Sequence, residues 1–505
     1  MKSSVGPGEV ERFSSLIACR FGLQFEDAKR DFLAEVLHRR LEAQGDGCER
    51  YLRRLELGPS RAEIAALAQE LTVPETHFFR NIDQFYAFSE VVLPERLRAR
   101  AMRKRLRLLS AGCASGEEPY TIAILVQESL ADPSWDVSIR AVDINPVMLE
   151  KAARGRFSTW ALRETRPDVQ RRWFRADGGE LVLAESIRRS VKFEERNLGD
   201  EDPELWQPGS YDVVFCRNVM MYFTPAGASA LVQRIARALA PNGYLFLGHA
   251  ESLRGLSQDF HLRHTHGTFY YQRKVGPEQA VSRAPFDSVA ASVSAPAIAA
   301  FIQDADTWVA AIGRATERVR ALTQVPAPPP AAAVIARLGW NPGLALDLLQ
   351  QERFEEALDL VQKRPPEAAH DTDVLLLHAV LLTHAGQLTQ AEEVCARLLA
   401  VDEMNAGAHY LLALCREAVG DRRDALDHDQ AAVYLDPAFA MPRLHLGMLA
   451  RRAGKRETAG QEFRQALVLL EREDASRLML FGGGFNRETL LALCRAELRA
   501  CGGRP

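Results

Sequence analysis

Apolar residues recur at helical spacing over the first hundred positions. Phe25, Ala28, Phe32, Val36 and Leu37 form one stripe, and Ile64, Leu67, Ala68 and Leu71 form another. Apolar side chains three to four residues apart share one helix face, so residues 10–100 read as helices and 10–90 as a small all-α domain. From about residue 106 the period changes. Short β-rich runs (Leu106 to Ala111, Val137 to Val142, Val191 to Phe193, Val213 to Cys216, Tyr244 to Leu247) alternate with longer helical stretches. That alternation predicts an α/β, Rossmann-like domain over 91–275, with a mostly parallel sheet covered by helices. The pattern ends near Phe269, Tyr270 and Tyr271. Residues 276–333, rich in Ala, Ser and Pro and containing Pro326, Pro328, Pro329 and Pro330, read as a linker. Within it Trp308, Val309, Ile312, Val319 and Leu322 would line one face of a helix over 304–323.

Beyond the linker the chain repeats itself. Ala357, Ala391, Ala425 and Ala459 are each 34 residues apart, Gly386, Gly420 and Gly454 precede the last three by five residues, and Ala379, Ala413 and Gly447 keep the same period. Small residues let two helices pack closely and glycine ends one helix before the next, so the period fits a helix-turn-helix unit. With Pro437 at the position of a terminal proline, the region resembles tetratricopeptide repeats. It is delimited as 334–475, an all-α solenoid followed by a helical tail over 476–505.

The chain has 505 residues, for which the usual domain size predicts about three domains. With 47% hydrophobic and 26% charged residues it should bury real cores, which excludes wholesale disorder and a fibrous repeat. Lys+Arg of 63 against Asp+Glu of 67 leaves a net charge of −4, without the basic excess of a nucleic-acid binder. The opening MKSSVGPGEVERF lacks the apolar core of a secretory signal, and no apolar run approaches the roughly 18 residues of a membrane span, so a soluble cytoplasmic protein without membrane insertion is expected. The eight cysteines include no C-x-x-C pair and read as buried reduced thiols. His261, His264 and His266 lack a nearby carboxylate or thiol partner, and no metal is expected.

The chemistry concentrates in the α/β region. Strand Leu106 to Ala111 runs into Gly112-Cys113-Ala114-Ser115-Gly116 and a helix opened by Glu117, Glu118 and Pro119. Such a strand, glycine turn and helix start make a nucleotide-type pocket at the sheet's carboxyl edge. The dinucleotide fingerprint is absent, and acidic residues at the helix start would repel a pyrophosphate and suit a cationic ligand better. Asp143 closes the strand Val137 to Val142, where a carboxylate can accept bonds from both ribose hydroxyls; a helix cap before Asn145-Pro146 is the other reading, and the two roles are compatible. Together they point to an adenosine ligand without pyrophosphate, with S-adenosylmethionine the obvious candidate.

Three further strings sharpen this: Thr76-His77-Phe78-Phe79-Arg80, Gly116-Glu117-Glu118-Pro119-Tyr120 and Cys216-Arg217-Asn218-Val219-Met220-Met221-Tyr222-Phe223. In this order they closely resemble the chemoreceptor glutamate methyltransferase (CheR) family, over roughly residues 10–274. The resemblance implies S-adenosylmethionine as cofactor, S-adenosylhomocysteine as product, and methyl esterification of receptor glutamates in chemosensory adaptation. It makes Thr76, Arg80, Glu118, Asp143, Asn197, Leu198, Arg217 and Asn218 cofactor-pocket residues. Arg80 and Tyr222 fall beside the transferring methyl and are the catalytic candidates. Pro74 departs from the polar residue that better-known members often carry. Asp177 to Leu183 resembles the family's small antiparallel insertion in a short version that lacks a longer Gly/Arg-rich loop.

The family resemblance also implies that the cluster Lys29, Arg30, His38, Arg39 and Arg40 meets acidic methylation helices of a receptor, a solvated charged face being the alternative. The run Arg96, Arg98, Arg100, Arg103, Lys104, Arg105 and Arg107 reads as an exposed connector and is the best argument for an RNA partner. Against RNA, the strand-four loop lacks the N-P-P-Y type associated with methylation of base nitrogens. The repeats would hold a signalling protein or peptide. The competing expectation is a scaffold in which the repeats bind partners and the methyltransferase domain is a sensor or inactive. The segment Phe481-Gly482-Gly483-Gly484-Phe485 fits none of this chemistry.

Overall fold

The computed structural model describes residues 5–25, 29–72, 75–130, 132–275, 340–351, 353–483 and 485–502. Ala28, Pro74, Gly484, the linker 276–333 and the helix expected over 304–323 lie wholly or in part outside the described residues. The chain divides into two units, residues 1–280 and 281–505.

The first unit begins with four helices, α1 (Pro7–Phe21), α2 (Arg30–Gln44), α3 (Cys48–Leu57) and α4 (Arg61–Leu71). Their apolar stripes meet in one core of Phe13, Ile17, Val36, Leu37, Tyr51, Leu52 and Leu67. At its edge the buried Glu63 accepts bonds from Arg40 (2.7 and 2.9 Å) and the Tyr51 hydroxyl (2.7 Å). Burial would raise this carboxyl's pKa, but the Arg40 and Tyr51 bonds outweigh it and hold it below its ordinary value. Arg40 is thus an internal strut, not part of a docking face. Exposed Arg39 pairs with half-buried Glu70 at 2.6 Å, and Arg30 with Glu11 at 3.4 Å on exposed side chains.

Helix α5 (Ile82–Ala87) passes through a π-helical turn, Phe88–Val92, into α6 (Leu93–Arg100) and then β1 (Arg105–Ala111). There follow α7 (Glu117–Ser129), β2 (Asp136–Asp143), α8 (Pro146–Arg154), β3 (Arg156–Phe157), α9 (Pro167–Trp173), β4 (Phe174–Asp177), β5 (Glu180–Leu183), α10 (Glu185–Arg189) and β6 (Val191–Glu195). The unit closes with β7 (Tyr211–Cys216), α11 (Pro225–Ala238), β8 (Leu239–Leu247), β9 (Phe260–Thr265) and β10 (Thr268–Arg273). A seven-stranded sheet has the order β6-β2-β1-β7-β8-β10-β9. Its first five strands are parallel and β10 and β9 antiparallel, so the expected runs form the parallel part and the 260–273 hairpin adds an edge. Every residue of β7 is buried, as expected for a central strand covered on both faces. Phe85, Phe215, Phe246 and Tyr270 stack in series, with Phe215 and Phe246 at 4.6 Å, and fix α5 against the sheet. Strands β3, β5 and β4 form the small separate antiparallel sheet.

The basic run is the expected exposed connector only in part: Arg98, Arg103, Lys104 and Arg105 are exposed, whereas Arg96 and Arg100 turn inward. Arg96 is buried and, with Arg100, donates to the buried Asp212 at 2.7 Å; Lys104 pairs with Asp132 and Arg105 with Asp136, both at 2.9 Å. Spacing along one strand of sequence reported the cations but not the carboxylates that the sheet brings from β2 and β7, and the argument for RNA loses its footing. All eight cysteines are free thiols, but Cys19 is exposed on α1, contrary to the expectation that they are buried. Among the described residues no helix is long and apolar enough to cross a membrane, and no three His, Cys, Asp or Glu side chains gather as for a metal.

The second unit is built of helix pairs: α12 (Pro342–Gln350) with α13 (Phe354–Gln362), α14 (Thr372–His384) with α15 (Leu388–Val401), α16 (Ala406–Ala418) with α17 (Arg422–Leu435), and α18 (Ala440–Arg452) with α19 (Arg456–Leu470). The periodic alanines Ala357, Ala391, Ala425 and Ala459 are fully buried on the second helices. Gly447 packs against Phe463, where a Cβ would come within 2.6 Å of the ring. The chain then forms α20 (Ala475–Phe481) and α21 (Arg487–Ala500).

Candidate functional site

A cavity opens where the carboxyl ends of β1, β2, β6 and β7 meet the end of α1, the edge a ligand occupies in an open α/β sheet. Its floor is the turn after β1. Gly112 adopts φ 77°, and a Cβ there would lie 2.4 Å from Val219 Cγ2, so only glycine lets the β1 and β7 loops close on each other. The Gly112 and Cys113 N–H groups donate to the Val142 carbonyl, tying this turn to the end of β2. Backbone strain gathers here: Phe79, Asn81, Ala114 and Asn218 are four of the seven non-glycine residues with positive φ among the described residues. Such conformations persist when surrounding bonds over-determine them.

Asp143 stands at the end of β2 and lines the cavity. Its Oδ2 accepts the Ala114 N–H at 2.8 Å and its Oδ1 the Asn145 N–H at 2.9 Å. Burial raises its pKa, and these backbone bonds oppose the rise. A carboxylate offers about four acceptor positions, so capacity remains for a diol on the cavity side. The cap is made by its neighbour instead: Asn145 Oδ1 accepts from the N–H groups of Val147 and Met148 at the start of α8. Ile144, Met148 and Leu198 add apolar walls. This donor set, a strand-end carboxylate beside apolar surface at a glycine turn, fits the sugar and base of S-adenosylmethionine.

Asn197, Leu198, Asn218 and Tyr222 also line the cavity. The Asn197 amide is engaged internally: its Nδ2 donates to the Arg20 carbonyl at 3.1 Å and to Asp200 at 2.9 Å, and its Oδ1 accepts from Gly199 N–H. It therefore holds the loop after β6 against the end of α1. Half-buried Tyr222 sits in a loop stitched to the α1–α2 connection, where its carbonyl accepts from Gln24 N–H at 2.7 Å and Thr224 N–H donates to the Gly22 carbonyl.

Glu118, Arg217 and Arg80 form a second group next to this wall. The Glu118 carboxylate accepts from Ser110 Oγ at 2.7 Å and Arg217 Nη1 at 3.2 Å. Burial raises the Glu118 pKa and lowers that of Arg217, and the ion pair opposes both shifts. Arg217 also donates through Nη2 to the Arg80 carbonyl and Asn81 Oδ1, at 2.5 and 2.7 Å, with its guanidinium 5.3 Å from the Phe85 ring centre. The Arg80 guanidinium donates to the Glu75 carbonyl at 2.6 Å. Thr76, Arg80, Glu118 and Arg217 are not among the cavity-lining residues. What the structure brings together is thus a cavity of Asp143, Asn197, Leu198, Asn218 and Tyr222, and a buried charge relay that positions the Arg80 backbone.

Sequence reasoning missed Glu251. It is buried, its Oε2 accepts from the N–H groups of Asn218 and Gly248 at 2.7 Å, and its Oε1 accepts from Met221 N–H at 3.2 Å. One carboxylate therefore shapes the whole loop that carries Asn218 and Tyr222. Glu251 follows β8 in a segment without motif character, so no local signal pointed to it. Phe21, Leu23, Leu71 and Thr72 were also missed as cavity residues, because only the tertiary fold brings the helical domain over the sheet edge.

Residues 74–269 match the family described as CheR methyltransferase, SAM binding domain. The chain is 36% identical over 270 residues to a Vibrio cholerae protein called chemotaxis protein methyltransferase 2, covering 52% of this chain and 93% of that one. It is 35% identical over 265 residues to the chemotaxis protein methyltransferase of Salmonella typhimurium, covering 52% and 89%. A Pseudomonas aeruginosa protein named probable biofilm formation methyltransferase WspC is 30% identical over 457 residues, covering 88% of this chain and 95% of that one. The likeness to it therefore reaches well into the repeats.

Proposed function

The chain belongs to the CheR family of S-adenosylmethionine-dependent methyltransferases of chemosensory signalling, and from that premise we propose that its methyl acceptors are glutamate side chains on the cytoplasmic methylation helices of a chemoreceptor-type protein. The observation that carries the reading is Asp143 at the end of β2, facing a cavity whose wall also holds Tyr222. In this reading Asp143 takes the ribose hydroxyls, Leu198 and Met148 flank the base, and Asn218 lines the remainder of the pocket. S-adenosylmethionine supplies an electrophilic methyl group on a sulfonium centre.

A glutamate side chain has a pKa of about 4.3 and is ionised at neutral pH, so no residue has to remove a proton from it. The protein's tasks are orientation and exclusion of water. Arg80 uses one donor on the Glu75 carbonyl, which leaves guanidinium N–H groups for an incoming carboxylate. Arg217 and Glu118 hold the Arg80 backbone in place, and Tyr222 presents its ring and hydroxyl at the cavity. Residues 334–475 form a recruiting module for a signalling protein or peptide, joined through the 276–333 linker to the catalytic 91–275 domain and the 10–90 helical domain.

The test is incubation with methyl-labelled S-adenosylmethionine and cytoplasmic receptor fragments. The expected label sits on glutamate and is released as methanol by mild alkali. Label that survives alkali, or label on protein lacking the candidate glutamates, overturns the assignment of the acceptor.

A further inference from the structure

Arg80 sits in a segment held at both ends. At one, a 3-10 turn (Thr159–Leu162) follows β3, and its Ala161 carbonyl accepts the Phe78 N–H at 2.9 Å. At the other, Arg217 grips the Arg80 carbonyl and Asn81 Oδ1. Each brace turns one large apolar side chain to solvent: Trp160 on the turn is 72% exposed, and Met221, in the loop that starts with Arg217, is 62% exposed. Both stand on pinned backbone. Ser158 Oγ accepts the Ala161 N–H at 3.3 Å, and the Met221 N–H donates to Glu251 at 3.2 Å. Neither side chain adds burial to a core, so its apolar surface is open to a partner, and Trp, Met and Arg are the residue types enriched where proteins meet.

Arg163 brings charge to this surface. Its guanidinium lies 4.5 Å from the Trp160 ring centre, and its Nη2 donates to His77 Nδ1 at 2.7 Å, which leaves the His77 Nε2–H facing Glu164 at 3.0 Å. Burial lowers the His77 pKa, Glu164 opposes the shift, and the charges of both Arg163 and Arg80 add to it, so the two cations stand near the same ring. Among the described residues neither Arg80 nor Arg163 has a carboxylate in ion-pair range. The cations of α2 are matched: Arg30 by Glu11, His38 by Glu42, Arg39 by Glu35 and Glu70, and Arg40 by Glu63. Unmatched positive charge thus gathers beside Trp160 and not on α2. We propose that Trp160, Arg163 and Met221 form the surface on which the methyl-accepting protein docks around Arg80, and that the docked element is an acidic amphipathic helix. Its apolar side chains rest on Trp160 and Met221, a second carboxylate pairs with Arg163, and the acceptor glutamate reaches Arg80. The inference rests on the reading of the acceptor as a protein glutamate and names the surface that selects it.

The test uses the full chain, methyl-labelled S-adenosylmethionine and a dye-labelled cytoplasmic receptor fragment, with binding read by fluorescence anisotropy beside initial rates of transfer. Trp160→Ala should raise the fragment's Kd and KM about tenfold, Met221→Ser about threefold, and Trp160→Phe should restore most of the loss. Both side chains are exposed, so the melting temperature and the affinity for S-adenosylhomocysteine should not change. Arg163→Gln removes one charge and should flatten the dependence of the fragment's Kd on salt. Folded Trp160→Ala and Met221→Ser with Kd and KM within about twofold of the unaltered chain overturn the proposal. A fall in kcat at unchanged KM also overturns it and gives Trp160 a structural part in seating Phe78. Should Trp160→Ala unfold, Met221→Ser decides alone. Failure of the acceptor assignment is read separately: a fragment whose binding depends on Trp160 but which takes no alkali-labile label removes that assignment and leaves the docking surface standing. A fragment that neither binds nor takes label removes both.

Discussion

Asp143, half-buried at the end of β2, and Glu251, buried in the loop after β8, are both hydrogen-bonded carboxylates, but they do different work. Asp143 keeps acceptor capacity toward the cavity, whereas Glu251 faces three loop amides. Asp143→Ala should therefore weaken S-adenosylmethionine and S-adenosylhomocysteine together, by about 1–3 kcal/mol, and should also lower the melting temperature, because the Ala114 and Asn145 N–H groups lose their acceptor. Isothermal calorimetry beside a thermal melt checks this. Glu251→Ala should lower the melting temperature further, since each N–H left unpaired costs about 1–3 kcal/mol and three rather than two are orphaned, and ligand affinity follows only as the loop loosens. Arg80→Ala and Tyr222→Phe should lower turnover while circular dichroism stays unchanged; an unfolded Arg80→Ala would assign that residue a structural part. Asp143 was legible because a strand-end acid after a glycine turn has a local signature. Glu251 was not, because its partners on the Asn218–Tyr222 loop lie 30 and 33 residues away in sequence. The sequence also named Arg217 without showing that it reaches the site by gripping the backbone beside Arg80.

Among elements, helices and parallel strands were readable wherever apolar period decided them. The β9–β10 hairpin was missed as a pair because its charged and aromatic residues mix both periods, and the basic run at α6 and β1 was read only in part because its carboxylates come from elsewhere in the chain. Asp212 shows the energetic side of that error. It accepts from Arg96, Arg100 and the Arg107 N–H, so Asp212→Ala should destabilise the first unit by about 3–5 kcal/mol through the buried cations left unpaired, which chemical denaturation can measure. The repeat helices carry a second buried network. His445 lies 2.6 Å from Asp429 and 3.0 Å from Glu417, which Arg452 also holds. Burial alone would lower this imidazole's pKa, but the two carboxylates win and push it up to about 10. Its unfolded value is about 6.5, so the stabilisation is complete below that pH and is lost as pH rises toward about 10. His378, His384, His409 and His428 go the other way, pushed down to about 4 by burial, so their contribution is complete above about 6.5 and is lost as pH falls. The repeat transition should thus melt highest near neutrality, and the gap between the unaltered protein and His445→Gln should narrow as pH approaches 10.

At the scale of the whole molecule the chain joins two kinds of economy. The first unit binds its ligand at one sheet edge whose geometry depends on residues from Phe21 to Glu251, so the site needs the helical domain, the sheet and the loop after β8 together. The repeats are quasi-one-dimensional, with each helix pair resting on its neighbours through buried alanines. A site that draws on every part of its own unit should survive removal of the other, and among the described residues the cavity lining runs from Phe21 to Phe223. Deleting 276–505 is therefore expected to leave S-adenosylmethionine affinity within about twofold of the full chain, since a 1.4 kcal/mol change would already be tenfold. Methylation of a small receptor fragment should likewise persist. Methylation in the assembled receptor array should fall, because a tethered recruiting module raises the local concentration of substrate without adding any contact at the reacting centre. Such a loss would appear at low enzyme concentration and fade as the truncated enzyme is raised to make up for the missing tether. If the truncated chain instead loses the ligand, the repeats contribute to the catalytic fold, and the division of labour between the two units is wrong.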